Sequence, residues 1–358
     1  MTNPPPLKAL IVEGSNPPQR TGIIPVSPNH WRVMPWLEYP EGTRVGIYGF
    51  RMDVLVQNRA KKTQTLELEV RWHHSGKILR QYLDYVHQQT GADRWRLCSG
   101  KVQGSSVHFQ LRIPPGRWWL SVNPAWQVAQ HRRWLAQLPR PARVRTTGIQ
   151  EIILGDPRRP TLAVLARCHP YESASSVNAV GIVEWLLGNS STARRILLRY
   201  CVRVVPMANP NGVALGCARL THPGGHDLNI DFLPKTDPNA KALKRWLDEC
   251  RPRLLLNFHS WMSKTHNGLF YPEEKDRRDF LKALGKPVWH GRRWLCIRRG
   301  ADFKPGEPRQ ILDSYATNKL GALAYIVEFP WYGWTPARMR QGGVRAFVAA
   351  VRVLDGRR

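Results

Sequence analysis

Hydrophobic residues in the first third of the chain recur at every second position. Phe50, Met52, Val54 and Val56 share one face, Leu66, Leu68, Val70 and Trp72 another against Glu67, Glu69 and Arg71, and Val107, Phe109, Leu111 and Ile113 a third. A period of two belongs to a half-buried strand, whose successive side chains point to opposite faces. Turn-forming clusters at Glu41-Gly42, Gly104-Ser105-Ser106 and Pro114-Pro115-Gly116 separate the runs. Residues 1–125 are therefore expected to form an antiparallel β-sandwich. Core packing accounts for Trp118 and Trp119 in this region more simply than a platform for stacking bases.

The period changes after Val122-Asn123-Pro124. Trp126 to Leu138 carries a helical pattern, the Pro/Arg-rich stretch LPRPARVR follows, and short β-branched runs then alternate with longer amphipathic segments. That alternation predicts an α/β domain over residues 126–358, with a mostly parallel, mixed sheet. Strands are expected at Leu162 to Ala166, Cys201 to Val205, Leu254 to Phe258 and Tyr325 to Phe329. Helices are expected at Ser175 to Leu187, at Pro238 to Cys250, and from Thr335-Pro336 to about Leu354, where Thr suits the N-cap and Pro the first turn.

In an open α/β sheet the ligand crevice lies at the carboxyl ends of the strands. The first of these strands runs into Cys168-His169-Pro170-Tyr171-Glu172, the third into His259-Ser260, and the fourth contains Glu328. A His and a Glu three residues apart, joined by a distant His, can offer zinc two nitrogens and a carboxylate and leave a fourth position for water. A lone His-x-x-Glu is weak, since chance gives roughly 0.4 of them in a chain of this composition, and a structural histidine is the competing reading. The pair His222 and His226 flanks Pro223-Gly224-Gly225 and His73-His74 ends a strand, so neither makes a better metal site.

Charge widens the range of partners. The 358 residues include 54 Lys plus Arg against 26 Asp plus Glu, a net +28, with a pI near 10.6. Such a surface attracts polyanions: nucleic acid, an anionic membrane or an acidic peptide. The basic residues are dispersed as pairs such as Lys61/Lys62, Arg194/Arg195 and Arg298/Arg299, which favours a solvated basic surface over a dedicated nucleic-acid site. The six cysteines are scattered without a CxxC and read as reduced thiols. With neither a run near the ~20 apolar residues that a bilayer span needs nor a secretory leader, the expected location is the cytoplasm.

Further segments match one another's context. The runs AVLARCHPYESASSVNAVGIVEWLLG, VVPMANPNGVALGCARLTHPGGHDLNIDF, LLLNFHSW and AYIVEFP stand in this order, and together they resemble the zinc carboxypeptidase family, its cytosolic carboxypeptidase branch most closely. That branch also carries an N-terminal β-sandwich, and WWLSVNPAWQVAQHRRWL resembles its joining segment. The resemblance implies one zinc per chain held by His169, Glu172 and His259, with Glu328 as general base. It further implies that Arg219 stabilises the oxyanion and that Asn229 helps hold the substrate's terminal carboxylate. Tyr315, and less well Tyr332, are the candidates for the family's lid tyrosine.

The departures bear on substrate. Ile230 stands where the family has an arginine that anchors a terminal carboxylate, Tyr171 where the close branch has glycine, and Asn211 where it has aspartate. Isoleucine cannot fork onto a carboxylate. Another arginine (Arg203, Arg298 or Arg299) could reach in, the substrate could lack that carboxylate, or peptidase activity could be gone. The expected function is hydrolysis of an amide bond by zinc-activated water, with a peptide or acidic protein tail as substrate. The alternatives are a zinc amidase or deacylase acting on a substrate without a free terminal carboxylate, and a noncatalytic basic binding module.

Overall fold

The computed structural model describes residues 5–14, 22–35, 38, 49, 51–72, 83–222, 224–230, 237–285, 293–298, 311–333 and 335–357. Phe50, Glu41-Gly42, His73-His74, Pro223 and Arg299 lie outside the described residues.

The alternating runs of the first third become ten strands: β1 (Leu7–Leu10), β2 (Gly22–Ser27), β3 (His30–Met34), β4 (Asp53–Asn58), β5 (Gln64–Arg71), β6 (Tyr85–Gln89), β7 (Trp95–Ser99), β8 (Lys101–Gln103), β9 (Ser106–Ile113) and β10 (Gly116–Ser121). They form two five-stranded sheets, ordered β1-β4-β10-β6-β7 and β2-β3-β5-β9-β8. In the β5–β9 ladder Leu66 faces Leu111, Leu68 faces Phe109 and Val70 faces Val107, and all six are buried. Among the described residues every pair in the two sheets is antiparallel except β3–β5, which is parallel with His30 opposite Glu67. The reason is topological: between β3 and β5 the chain contributes β4 to the other sheet, and a crossover of that kind lets it return in the same direction. Glu69 also departs from its expected solvent position. It is buried, and accepts from Arg32 Nε (2.7 Å), Arg71 Nε (2.6 Å) and Ser106 Oγ (2.8 Å).

The remainder supplies α1 (Val128–Ala136), β11 (Arg143–Thr146), β12 (Gln150–Leu154), β13 (Thr161–Ala166), α2 (Ser173–Leu187), α3 (Ser191–Arg199), β14 (Cys201–Val205), α4 (Pro210–Ala214), α5 (Pro238–Cys250), β15 (Leu254–Trp261), β16 (His266–Tyr271), α6 (Glu274–Leu284), β17 (Arg293–Arg298), α7 (Leu312–Leu320), β18 (Leu323–Pro330) and α8 (Pro336–Gly356). Their eight-stranded sheet has the order β11-β12-β14-β13-β15-β18-β16-β17. Its centre, β14-β13-β15-β18, is parallel, and antiparallel pairs flank it.

Apolar residues of α2 and α8 cover one face of this sheet, and those of α5 and α7 cover the other. Helices α2 and α8 approach closely at two glycines. A Cβ on Gly343 would lie 2.2 Å from the Asn178 carbonyl oxygen, and one on Gly181 would lie 2.5 Å from the Arg340 Cα. Thr335 caps α8 by accepting from the Arg338 N–H at 3.3 Å. Strand β15 outlasts its apolar run by three residues because pairing with β18 continues: His259 faces Glu328, Ser260 faces Phe329 and Trp261 faces Pro330. All six cysteines are free thiols. Among the described residues no helix is long and apolar enough to cross a membrane.

Candidate active site

Three parallel strands deliver the site's side chains to one end of the large sheet. After β13 the chain turns sharply at Arg167, a non-glycine residue with φ of 64°. Its buried guanidinium stabilises the turn, with Nε donating to the Pro170 carbonyl (2.6 Å) and Nη1 to that of Trp126 (3.2 Å). Burial, with repulsion from Arg51, brings the Arg167 pKa down to about 9. This turn presents His169, and Glu172 follows immediately before α2. His259 comes from the end of β15, and its ladder partner Glu328 comes from β18.

His169 Nδ1 lies 2.7 Å from Glu172 Oε1 and 3.2 Å from His259 Nδ1, and His259 Nδ1 lies 3.0 Å from Glu172 Oε2. One ligating atom from each residue falls within 4.8 Å of the others, and all three residues are buried. Among the described residues this is the one such group. Beyond it, His169 Nε2 lies 3.0 Å from Asp227 Oδ1, and Ser260 N–H donates to Glu172 Oε2 at 3.1 Å.

A metal cation fits this donor set. With its Nε2 proton on Asp227, a neutral His169 turns the Nδ1 lone pair toward a carboxylate oxygen and a second imidazole nitrogen, an arrangement that positive charge reconciles, whether a proton on Nδ1 or a metal cation. A carboxylate behind a ligating histidine is the arrangement that fixes tautomer and ring orientation in zinc sites. The same demand for positive charge appears in the protonation of the cluster. Burial disfavours the charged form of His169, but Glu172 and Asp227 outweigh it and raise the pKa to about 9. Against the cost of burial, His169 and His259 hold Glu172 far below its usual range, and His169 does the same for Asp227, with Arg219 adding to it.

Glu328 is half-buried beside this cluster. Loss of hydration, with repulsion from Glu172, lifts its carboxyl to about 7, although His259, His169 and Arg219 pull the other way. Gly268 makes room for it, since a Cβ there would come within 2.7 Å of the Glu328 Cβ. Arg219 donates from Nε to Asp227 Oδ2 at 2.5 Å, which ties it to the carboxylate that holds His169. Asn229 is buried, donates its N–H to Asp227 Oδ1 (2.9 Å) and accepts from Asn257 Nδ2 (3.3 Å). Asn257 precedes His259 by two residues on β15 and so shares its face. Tyr171 lies parallel to the His169 ring at 6.2 Å and edge-on to Trp331 at 5.3 Å.

The structure thus brings together His169, Glu172, His259, Glu328, Arg219 and Asn229. Tyr315 is placed elsewhere, contrary to its expected role. Its hydroxyl donates to Asp248 near the carboxyl end of α5, a helix that leads into the start of β15, away from the end that carries His259. Tyr332 packs edge-on to Tyr85 at 4.7 Å, with Lys264 Nζ over its ring. Of the arginines proposed to replace the anchor, Arg203 is committed to another group, while exposed Arg298 makes one long contact. Arg203 donates to Glu151 at 2.7 and 2.8 Å, and Arg298 donates to the Pro272 carbonyl at 3.4 Å. Asp227, Arg167 and Asn257 escaped the sequence reading. For Asp227 a signal was present, as it opens the Asp-Leu-Asn segment that singled out Asn229.

No family model matches the chain. Among curated proteins it is similar to cytosolic carboxypeptidase 6 of Caenorhabditis elegans, at 39% identity over 87 residues, 24% of this chain and 19% of that protein. It is also similar to cytosolic carboxypeptidase 1 of Xenopus laevis, at 39% over 114 residues, 30% of this chain and 9% of that protein. The chain matches less than a fifth of the length of either relative. Among solved structures, a metallo-carboxypeptidase from Burkholderia cenocepacia shares the fold with a TM-score of 0.80 at 15% identity, covering 98% of this chain and 100% of that one. A metallo-carboxypeptidase from Pseudomonas aeruginosa, in complex with (2-guanidinoethylmercapto)succinic acid, shares it with a TM-score of 0.78 at 17% identity over 98% and 100% of the two chains. The chain thus shares the fold of these metallo-carboxypeptidases over nearly its whole length, and a segment of it is similar in sequence to cytosolic carboxypeptidases.

Proposed function

We propose that the protein is a zinc-dependent hydrolase of amide bonds, with residues 126–358 as catalytic domain and residues 1–125 as a β-sandwich domain. The observation that carries this reading is the convergence of His169, Glu172 and His259 beside Glu328. His169, Glu172 and His259 would hold one zinc, which when bound would supply Lewis acidity toward a carbonyl and lower the pKa of water. Glu328 takes the proton of the attacking water on a carboxylate oxygen and passes it to the leaving amine nitrogen. Arg219 donates to the oxygen on which negative charge develops, a role in which a single donor is typically worth about 3 kcal/mol. Asp227 orients both Arg219 and His169, and Asn229 meets the leaving-group side of the substrate.

The proposed substrate is a peptide or acidic protein tail, cleaved at a C-terminal or side-chain-linked residue in the cytoplasm, and the +28 charge supports an acidic one. A second reading, an amidase or deacylase whose substrate lacks a terminal carboxylate, is favoured by one observation. Ile230 stands in the anchor's place, and Arg203 is engaged by Glu151. Turnover of matched N-acyl dipeptides, one ending in free glutamate and one in glutamate amide, separates the two readings. Preference for the free acid supports the carboxypeptidase, and preference for the amide supports the second reading. Glu328→Gln should abolish turnover of either while zinc is retained; unchanged turnover would remove Glu328 as the base.

A further inference from the structure

We propose that Glu38, far from the zinc ligands in sequence, is a positioning residue that sets the loop carrying Arg219. The proposal rests on the reading of Arg219 as oxyanion donor. Glu38 is 2% exposed. Its Oε1 accepts the N–H of Ala218, and its Oε2 accepts those of Arg219 (2.7 Å) and Leu220 (3.0 Å). Three consecutive amides thus converge on one carboxylate. Burial pushes the Glu38 carboxyl up, against the pull of the three amides and of Arg51; as a carboxylate it meets all three donors as acceptor, whereas an amide in its place would turn a donor toward a donor.

The same loop is gripped by its carbonyls. Buried Arg51 donates from Nη1 to the Cys217 oxygen (2.7 Å) and from Nη2 to that of Val213 (3.3 Å), while its Nε pairs with Asp53 at 2.7 Å. Both grips come from residues that precede position 125. A third tie, Tyr171 N–H to the Ala218 carbonyl at 2.9 Å, joins the loop to the segment between His169 and Glu172. With Arg219 Nε on Asp227, the direction of its guanidinium depends on where Glu38 holds the backbone. Displacing a transition-state donor by about 1 Å can cost up to about a hundredfold in rate. A donor that acts only in the transition state is lost from kcat and not from KM.

The test uses the full-length zinc-loaded protein, the N-acyl-dipeptide probes above, and the variants Glu38→Gln, Arg219→Ala and their combination. Hydrogen exchange at Ala218, Arg219 and Leu220 is followed alongside. In Glu38→Gln these three amides should exchange at least about tenfold faster than in the unmodified protein, with zinc content unchanged. Its kcat should fall about tenfold with KM altered less than about twofold, and the combination should be no slower than Arg219→Ala alone. Glu38→Asp, which keeps the charge, should lose less, and carries the test if Gln impairs folding. Unchanged exchange, or losses that multiply in the combination, would overturn the proposal. If the unmodified protein turns over neither probe, the functional reading has failed, and exchange alone decides whether Glu38 holds the loop.

Discussion

A histidine that gives one ring nitrogen to a carboxylate must present the other to whatever lies opposite, and Asp227 imposes this on His169. Asp227→Asn should therefore weaken zinc retention by about ten- to a hundredfold in competition with a chelator while the fold persists; undiminished affinity would show that Asp227 only shapes the loop. Ile230→Arg restores a fork for a carboxylate. Raised turnover of the free-acid probe would mark a carboxypeptidase that has lost its anchor, and no change would point to a substrate that needs none. His169, Glu172, His259 and Glu328 could be singled out because apolar strands run into or contain them and because the segments around them resemble a known family. Arg167 and Glu38 were not, because what makes them matter is a partner backbone distant in sequence: the Trp126 carbonyl for one, the 218–220 amides for the other.

At the level of elements, alternation identified which residues of β5 and β9 face inward, since burial follows the pleat. It could not reveal that β3 and β5 run parallel, because the same alternation serves either direction. It also could not reveal that Glu69 is buried, since its partners Arg32 and Ser106 come from other strands. That cluster makes the β-sandwich sensitive to acid. Despite the opposing cost of burial, the bonds from Arg71, Arg32 and Ser106 hold the Glu69 pKa down to about 2, below its ordinary 4.5. A depressed carboxyl stabilises the fold fully above its unfolded pKa and loses that contribution as pH falls through the folded one. Stability should drop between about pH 4.5 and 2, and Glu69→Gln should flatten that portion of a denaturation-versus-pH profile. In the other half, Gly343→Ala should cost at least about 1–3 kcal/mol through overpacking, because its Cβ would meet the Asn178 carbonyl oxygen at 2.2 Å. A urea midpoint unchanged by this substitution would contradict the close approach of α2 and α8.

For the molecule as a whole, the +28 charge sets a field that favours encounter with acidic substrates. Raising salt from about 0.05 to 0.5 M should lower kcat/KM several-fold for a glutamate-rich peptide and little for a neutral one. Equal salt dependence for both would detach the charge from substrate capture. The central claim is that this basic two-part chain holds one catalytic zinc between His169, Glu172 and His259. Metal analysis of the purified protein beside His169→Ala tests it most directly. The account predicts one zinc per chain, lost in the variant; no bound zinc even after zinc is added back, or zinc retained equally by the variant, would contradict it and favour a noncatalytic polyanion-binding role.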